Sequence, residues 1–229
     1  MTPTIREERP YEIYSISGAP RPWRVLLGLV AKGVPFELHT LEGSKKEHQT
    51  PEFRALNPRA RTPVLKRGDW VLSESLAILA YLDEAYPSPP LFGTTPRERA
   101  RIWQLVGEAD HDLQDATNAL TIPLFFKGLD DASDEVQAGA KATHREVALL
   151  EARLAEGDYL AGGRFSAVDC VAFPCVRIVA RATERFPEVL GRLGLHPFTD
   201  VYPRVSRWLA RIEALPGYER TFPRHWRAG

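Results

Sequence analysis

The sequence predicts an α/β domain followed by an all-α domain, and three observations carry that expectation. Strand-like and helix-like segments alternate from Tyr11 to Ala85. The run AYPSPPLFGTTP, residues 85–96, then breaks all periodicity with proline and glycine. Beyond it, apolar residues recur three and four apart, the spacing of one helical face. These features divide the chain into a polar extension at 1–10, an α/β domain at 11–86, a linker at 87–96 and a helical domain at 97–229.

Each element has its own local signal. Tyr11–Ser15 reads as a short strand, and Pro22–Lys32 as a helix with proline in its first turn and Gly33 as its stop. Phe36–Thr40 reads as a second strand, and Thr50-Pro51-Glu52 opens a short helix with a cap and a first-turn proline. Val64-Leu65 and the residues after Gly68-Asp69 form two short strands joined by a tight turn. A helix over Glu74–Ala85, with Ser73 as its N-cap, completes a βαβ-α-ββα order. That order is the thioredoxin-like arrangement, a four-stranded mixed sheet covered by three helices. In the second part Ile102, Leu105, Val106, Ala109, Leu113, Ala116 and Leu120 make one stripe, and Val136–Glu156 is a second long helix. Ser166 with Asp169 three residues on reads as a capping box that starts another helix, a folding device and not a catalytic one.

Composition excludes several classes of function. Lys+Arg and Asp+Glu are equal at 30 each, so no net field attracts nucleic acid. No apolar run approaches the roughly 20 residues that span a bilayer, and MTPTIREERP lacks the apolar core of a signal peptide. The two cysteines, Cys170 and Cys175, stand on one helix too close to bridge, which fits a reduced, cytoplasmic setting. His39, His48, His111, His144, His196 and His225 show no metal-ligand spacing, and no glycine-rich phosphate loop occurs.

Asn57–Ser75 holds the densest chemistry. Pro63 begins a strand, where its missing N–H costs nothing. If the Thr62–Pro63 bond is cis, which proline permits at about 0.5–1 kcal/mol, the Thr62 main chain turns outward and can pair with another peptide. A few residues later a helix start offers free N–H groups near Glu74 and Ser75 to a carboxylate. Taken alone, Ser75 is as well explained as a first-turn serine and Glu74 as an acid that suits the helix dipole.

Asn57, Pro58, Pro63, Leu65, Glu74, Ser75, Ala77 and Ile78 together resemble the glutathione-binding domain of the cytosolic glutathione transferases. FSAVDCVAFP and PRVSRWLARIEALPGY are similar to the second domain of that family, so the resemblance runs from Tyr11 to Phe222. It implies a transferase that activates glutathione as a thiolate and adds it to an electrophilic small molecule. It also implies a homodimer, no nucleic-acid or membrane partner, no metal, and no cofactor beyond glutathione as co-substrate. Glu74 and Ser75 would hold the γ-glutamyl end and the Thr62 main chain, set by Pro63, the cysteine amide. His48 and Gln49, helped by Arg61, would face the glycine carboxylate. Trp23, His111, Leu124 and Phe125 would wall the second substrate.

The sequence departs from this family where the thiol is activated. Aligned without gaps, the serine or cysteine position falls on Ala19, which donates nothing. Ser17 is the first alternative, because Gly18 permits a loop shift; Tyr14 is the second and Ser15 the third, and the Ala19 amide is a further donor. Two alternative functions stay open. Trp23-Arg24-Val25 and EHQTPEF are similar to the glutathione-dependent isomerases of the zeta type, although Ala19-Pro20-Arg21 replaces their Ser-Ser-Cys. A non-catalytic glutathione-binding or scaffold protein of the same fold would tolerate Ala19.

Overall fold

The structure, a computed structural model, describes residues 9–227, and most of the polar extension expected at 1–10 lies outside the described residues. The chain forms two compact units. The first spans residues up to Pro89 and takes in the chain's last stretch from Arg220; the second is Pro90–Glu219. Residues 220–227 therefore cluster with the α/β unit and not with the helical domain to which the sequence boundary of 97–229 assigned them.

In the first unit, β1 (Tyr11–Ile16), β2 (Phe36–Leu41), β3 (Val64–Arg67) and β4 (Trp70–Ser73) form one sheet in the order β2-β1-β3-β4. β1 runs parallel to β2 and antiparallel to β3, and β3 and β4 make the expected hairpin, with Gly68 at φ 60° in its turn. β1 alternates strictly: Tyr11, Ile13 and Ser15 are buried, while Glu12, Tyr14 and Ile16 are half-buried on the other face. α1 (Pro20–Ala31) and α3 (Ser75–Ala85) supply Val25, Leu26, Leu29, Ile78 and Leu82 to a core that Tyr11, Ile13, Phe36 and Leu65 complete from the sheet. α2 (Pro51–Leu56) starts as predicted, the Thr50 hydroxyl accepting from the Phe53 amide at 3.3 Å.

The second unit is helical. α4 (Pro96–Glu108) and α5 (Gln114–Ile122) are joined by a π-helical turn at Ala109–Leu113, and a second such turn follows at Pro123–Lys127. Every member of the predicted stripe from Ile102 to Leu120 is buried, so the wider turn keeps the apolar face continuous. α6 (Asp134–Arg153) lies close against α5: a Cβ on Gly139 would stand 2.4 Å from the Ala119 carbonyl oxygen, which leaves room for glycine only. α7 (Ala167–Arg185), the short α8 (Pro187–Arg192) and α9 (Phe198–Val201), and α10 (Pro203–Glu213) follow. Asp169 is fully buried and accepts from the Ser166 amide and hydroxyl, the Leu160 amide and the Trp208 indole at 2.8–3.0 Å. Its folding role stands. Cys170 and Cys175 are buried free thiols.

Candidate active site

Sheet register brings the exits of β1 and β4 and the entry to β3 to one end of the first unit's sheet. Tyr14 pairs with His39 of β2 and Val64 of β3, and Val64 pairs with Ser73 of β4. The chain leaving β1 at Ser17, the chain entering β3 through Thr62-Pro63 and the chain leaving β4 at Glu74 thus share the sheet end at which β2 also finishes. The Thr62–Pro63 bond is cis. Thr62 precedes the first paired residue of β3, so its main chain lies outside the sheet ladder. Asn57 is buried and shapes this approach, its side-chain amide donating to the Arg61 carbonyl at 2.7 Å and its oxygen accepting from the Arg59 amide at 3.1 Å. The Arg61 side chain is exposed.

The start of α3 differs from the expectation. Its N-cap is Glu74, not Ser73, and Glu74 has φ 70° and ψ 112°. A non-glycine residue at positive φ is uncommon and marks stored strain. The consequence is geometric: Ser75 becomes the first helical residue, 6% exposed, and the Glu74 carbonyl accepts the Ile78 amide at 2.9 Å. The amides of Ser75, Leu76 and Ala77 are therefore the open N-terminal donors of α3. Glu74 is exposed. His48 and Gln49 come together in a short 3₁₀ turn, Glu47–Gln49, their side-chain nitrogens 3.4 Å apart.

The candidate thiol donors separate by burial and partner. Ser15 is 3% exposed on the core face of β1 and is removed from candidacy. The Tyr14 hydroxyl donates to Glu12 at 3.0 Å, and its ring stacks on His39 and meets Phe53 edge-on. Burial first, and the Glu12 carboxylate second, raise the Tyr14 pKa; a hydrogen bond from Lys66 chiefly lowers that of Glu12. Tyr14 belongs to this polar cluster on the α2 side of the sheet. The Ala19 amide is also spent, donating to the Ile16 carbonyl at 3.2 Å. Ser17 remains half-exposed at the mouth of the loop, its Oγ 3.4 Å from His225 Nδ1.

The second-substrate residues do not form one group in either unit. Trp23 is a packing residue of the first unit, 1% exposed, its indole N–H donating to Thr221 at 3.1 Å and its ring meeting Phe222 and Trp226 edge-on. His111, Leu124 and Phe125 lie in the second unit. His111 is exposed, its Nδ1 2.9 Å from the Gly107 carbonyl; Leu124 is buried; and Phe125 packs on Phe186. Sequence reasoning gave the segment from Arg220 to Arg227 no place in the site. Its partners stand some 200 residues earlier, beyond any local pattern.

Among the described residues no group of His, Cys, Asp or Glu could hold a metal ion, and no helix is long and apolar enough to cross a membrane.

Comparison with known proteins fits this geometry. Residues 9–84 match the glutathione S-transferase N-terminal domain and residues 133–211 the glutathione S-transferase C-terminal domain. Glutathione S-transferase 1 of Dianthus caryophyllus is 33% identical over 91% of this chain and 94% of its own length. A probable maleylacetoacetate isomerase of Vibrio cholerae is 29% identical over 88% of this chain and 90% of its own. The crystal structure of a glutathione S-transferase from the Antarctic clam Laternula elliptica superposes with a TM-score of 0.81 at 28% identity, covering 96% of this chain and 95% of that one. With a thioredoxin-like unit, a helical unit and family matches over most of its length, the chain belongs to the glutathione S-transferase family.

Proposed function

We propose that this protein is a glutathione transferase that lays the tripeptide along the Thr62 main chain and docks its γ-glutamyl end at the start of α3. The observation that carries the reading is the convergence of the Thr62 main chain, outside the sheet ladder, and a positive-φ Glu74 at one sheet end. Glu74 offers a carboxylate to the ligand ammonium, and the Ser75 hydroxyl and open amides suit its carboxylate. His48, Gln49 and Arg61 are assigned to the glycine end.

Thiol activation then falls to Ser17. The start of α1 offers little help, because Pro20 and Pro22 have no N–H and the Trp23 amide already bonds to the Ala19 carbonyl at 3.2 Å. In the first turn only Arg21 has an amide hydrogen to spare. A thiol of ordinary pKa near 8.5 is mostly protonated at neutral pH, so a side-chain donor to the thiolate is needed to make it the prevalent form. The bound thiolate attacks an electrophilic carbon, and the leaving group or a proton from solvent completes the displacement or addition. A homodimer in the cytoplasm, with no metal and no cofactor beyond glutathione, belongs to the same reading.

Calorimetry with glutathione and a turnover panel of electrophiles test it. Binding together with turnover supports the proposal; no heat at millimolar glutathione removes it. Isomerase activity of the zeta type is the second reading, favoured by the Vibrio cholerae relative and by Trp23-Arg24-Val25. It ranks lower because Ala19-Pro20-Arg21 stands where that class keeps Ser-Ser-Cys. A glutathione-binding scaffold is distinguished by thiolate absorbance: it would leave the bound thiol titrating as free glutathione does.

A further inference from the structure

The tail packs on β2 and α1 and reaches the thiol loop at its far end. Arg220 donates to the Phe36 carbonyl at 2.8 Å and lies over the Phe36 ring, its guanidinium carbon 4.1 Å from the centroid. Thr221 accepts from Trp23, and Phe222 and Trp226 clasp the Trp23 ring. The loop is shaped to receive the tail. Gly18 has φ 81°, and a Cβ there would stand 3.3 Å from both His225 Cε1 and Trp226 Nε1. The left-handed backbone and the two tight contacts both favour glycine here. His225 brings an imidazole to this loop, its Nδ1 lying 3.4 Å from Ser17 Oγ.

We propose that His225 is the proton acceptor behind Ser17, so that the tail completes the thiol-activating machinery from the far end of the chain. The inference rests on the assignment of Ser17 above. In the step, the S–H bond of glutathione breaks and its proton goes to Ser17 Oγ. The Ser17 O–H bond breaks at the same time, and that proton goes to Nδ1 of a neutral imidazole. A thiolate, a neutral serine and an imidazolium result, with no change in total charge. The imidazolium then donates to Oγ, and the serine donates to sulfur. A hydrogen bond of this length in the unliganded protein is compatible with the role, since such contacts shorten when substrate binds. The charged groups carried by the neighbouring elements are Arg220, Arg224 and Arg227 on the tail and Arg21 and Arg24 on α1; residues 17–19 contribute none. All of them are cations, and nearby positive charge favours a thiolate over a neutral thiol.

The test uses the full-length protein and four variants: His225→Ala, His225→Asn, Ser17→Ala and the Ser17→Ala/His225→Ala pair. Asparagine keeps a hydrogen-bonding group near the Nδ1 position but cannot take a proton. Thiolate absorbance of the glutathione complex is titrated with pH, and glutathione affinity is measured by calorimetry. Both His225 variants are expected to raise the titration midpoint by about one unit and to lower kcat/KM near neutral pH about tenfold, with affinity nearly unchanged. The pair is expected to match Ser17→Ala alone. An unmoved midpoint in His225→Ala beside a shifted one in Ser17→Ala overturns the inference and leaves the Ser17 reading standing. Full activity in His225→Asn also overturns it, by reducing His225 to orientation. A midpoint unmoved by Ser17→Ala removes both claims.

Discussion

Lys32 ends α1 with its ammonium group inside the protein. It donates to the Asp83 carboxylate at 2.8 Å and to the carbonyls of Tyr86 and Pro89 at 2.6 and 2.7 Å. A buried cation is tolerated only when its protons are matched in this way, and here the match ties the end of α1 to the end of α3. Lys32→Met removes the buried ammonium that the Asp83 carboxylate and two carbonyls share. The expected loss is about 3 kcal/mol or more of unfolding free energy, read by denaturant titration; a loss below 1 kcal/mol would show the group is solvated. Tyr14 makes the opposite case. Its hydroxyl is committed to Glu12, so Tyr14→Phe is expected to leave glutathione turnover unchanged, and a large fall in kcat would return it to the thiol site. In the proposed docking, replacing Ser75 by alanine removes one charge-assisted hydrogen bond to the ligand carboxylate. Affinity for glutathione should fall about tenfold, measured by calorimetry.

At the scale of elements, helix starts decide more than helix interiors. Glu98, in the first turn of α4, accepts from the Thr94 amide and hydroxyl, the Thr95 amide and Arg164, and these bonds hold its pKa down to about 2 from 4.5. A carboxyl whose folded value is depressed stabilises the fold fully above its unfolded value and loses that contribution as pH falls through the folded one. The melting temperature should therefore decline between pH 4.5 and 2, and Glu98→Gln should flatten that decline. The start of α7 is the buried counterpart. Asp169→Ala strands the Leu160 amide, the Trp208 indole and the Ser166 donors, and is expected to cost about 3 kcal/mol or more by denaturant unfolding.

At the scale of the whole molecule, the first unit is closed by residues from both ends of the chain. Removing residues 220–229 uncovers Trp23 and opens the face of α1 and Phe36 that Arg220, Phe222 and Trp226 occupy. Tryptophan emission should shift to the red, and the thiol titration should move as in His225→Ala. Unchanged emission would show that the tail contributes no cover.

What was legible in the sequence was local. Thr62-Pro63, the Gly68-Asp69 turn, the Thr50 cap and the Ser166-Asp169 pair depend on backbone chemistry within a few residues, and proline, glycine and capping side chains report that chemistry directly. The apolar periods marked both units for the same reason. Ser73 was misplaced as the cap of α3 because no local rule foresees a glutamate at φ 70°. Such a conformation persists only when the surrounding fold holds it. The fate of the hydroxyls near Ala19 was likewise a tertiary matter. Strand parity turned Ser15 into the core and Tyr14 toward Glu12 and Phe53, leaving Ser17 at the loop. His225 reaches that loop across 208 residues, and contacts at that separation are set by packing alone, for which the chain carries no periodic or turn signal.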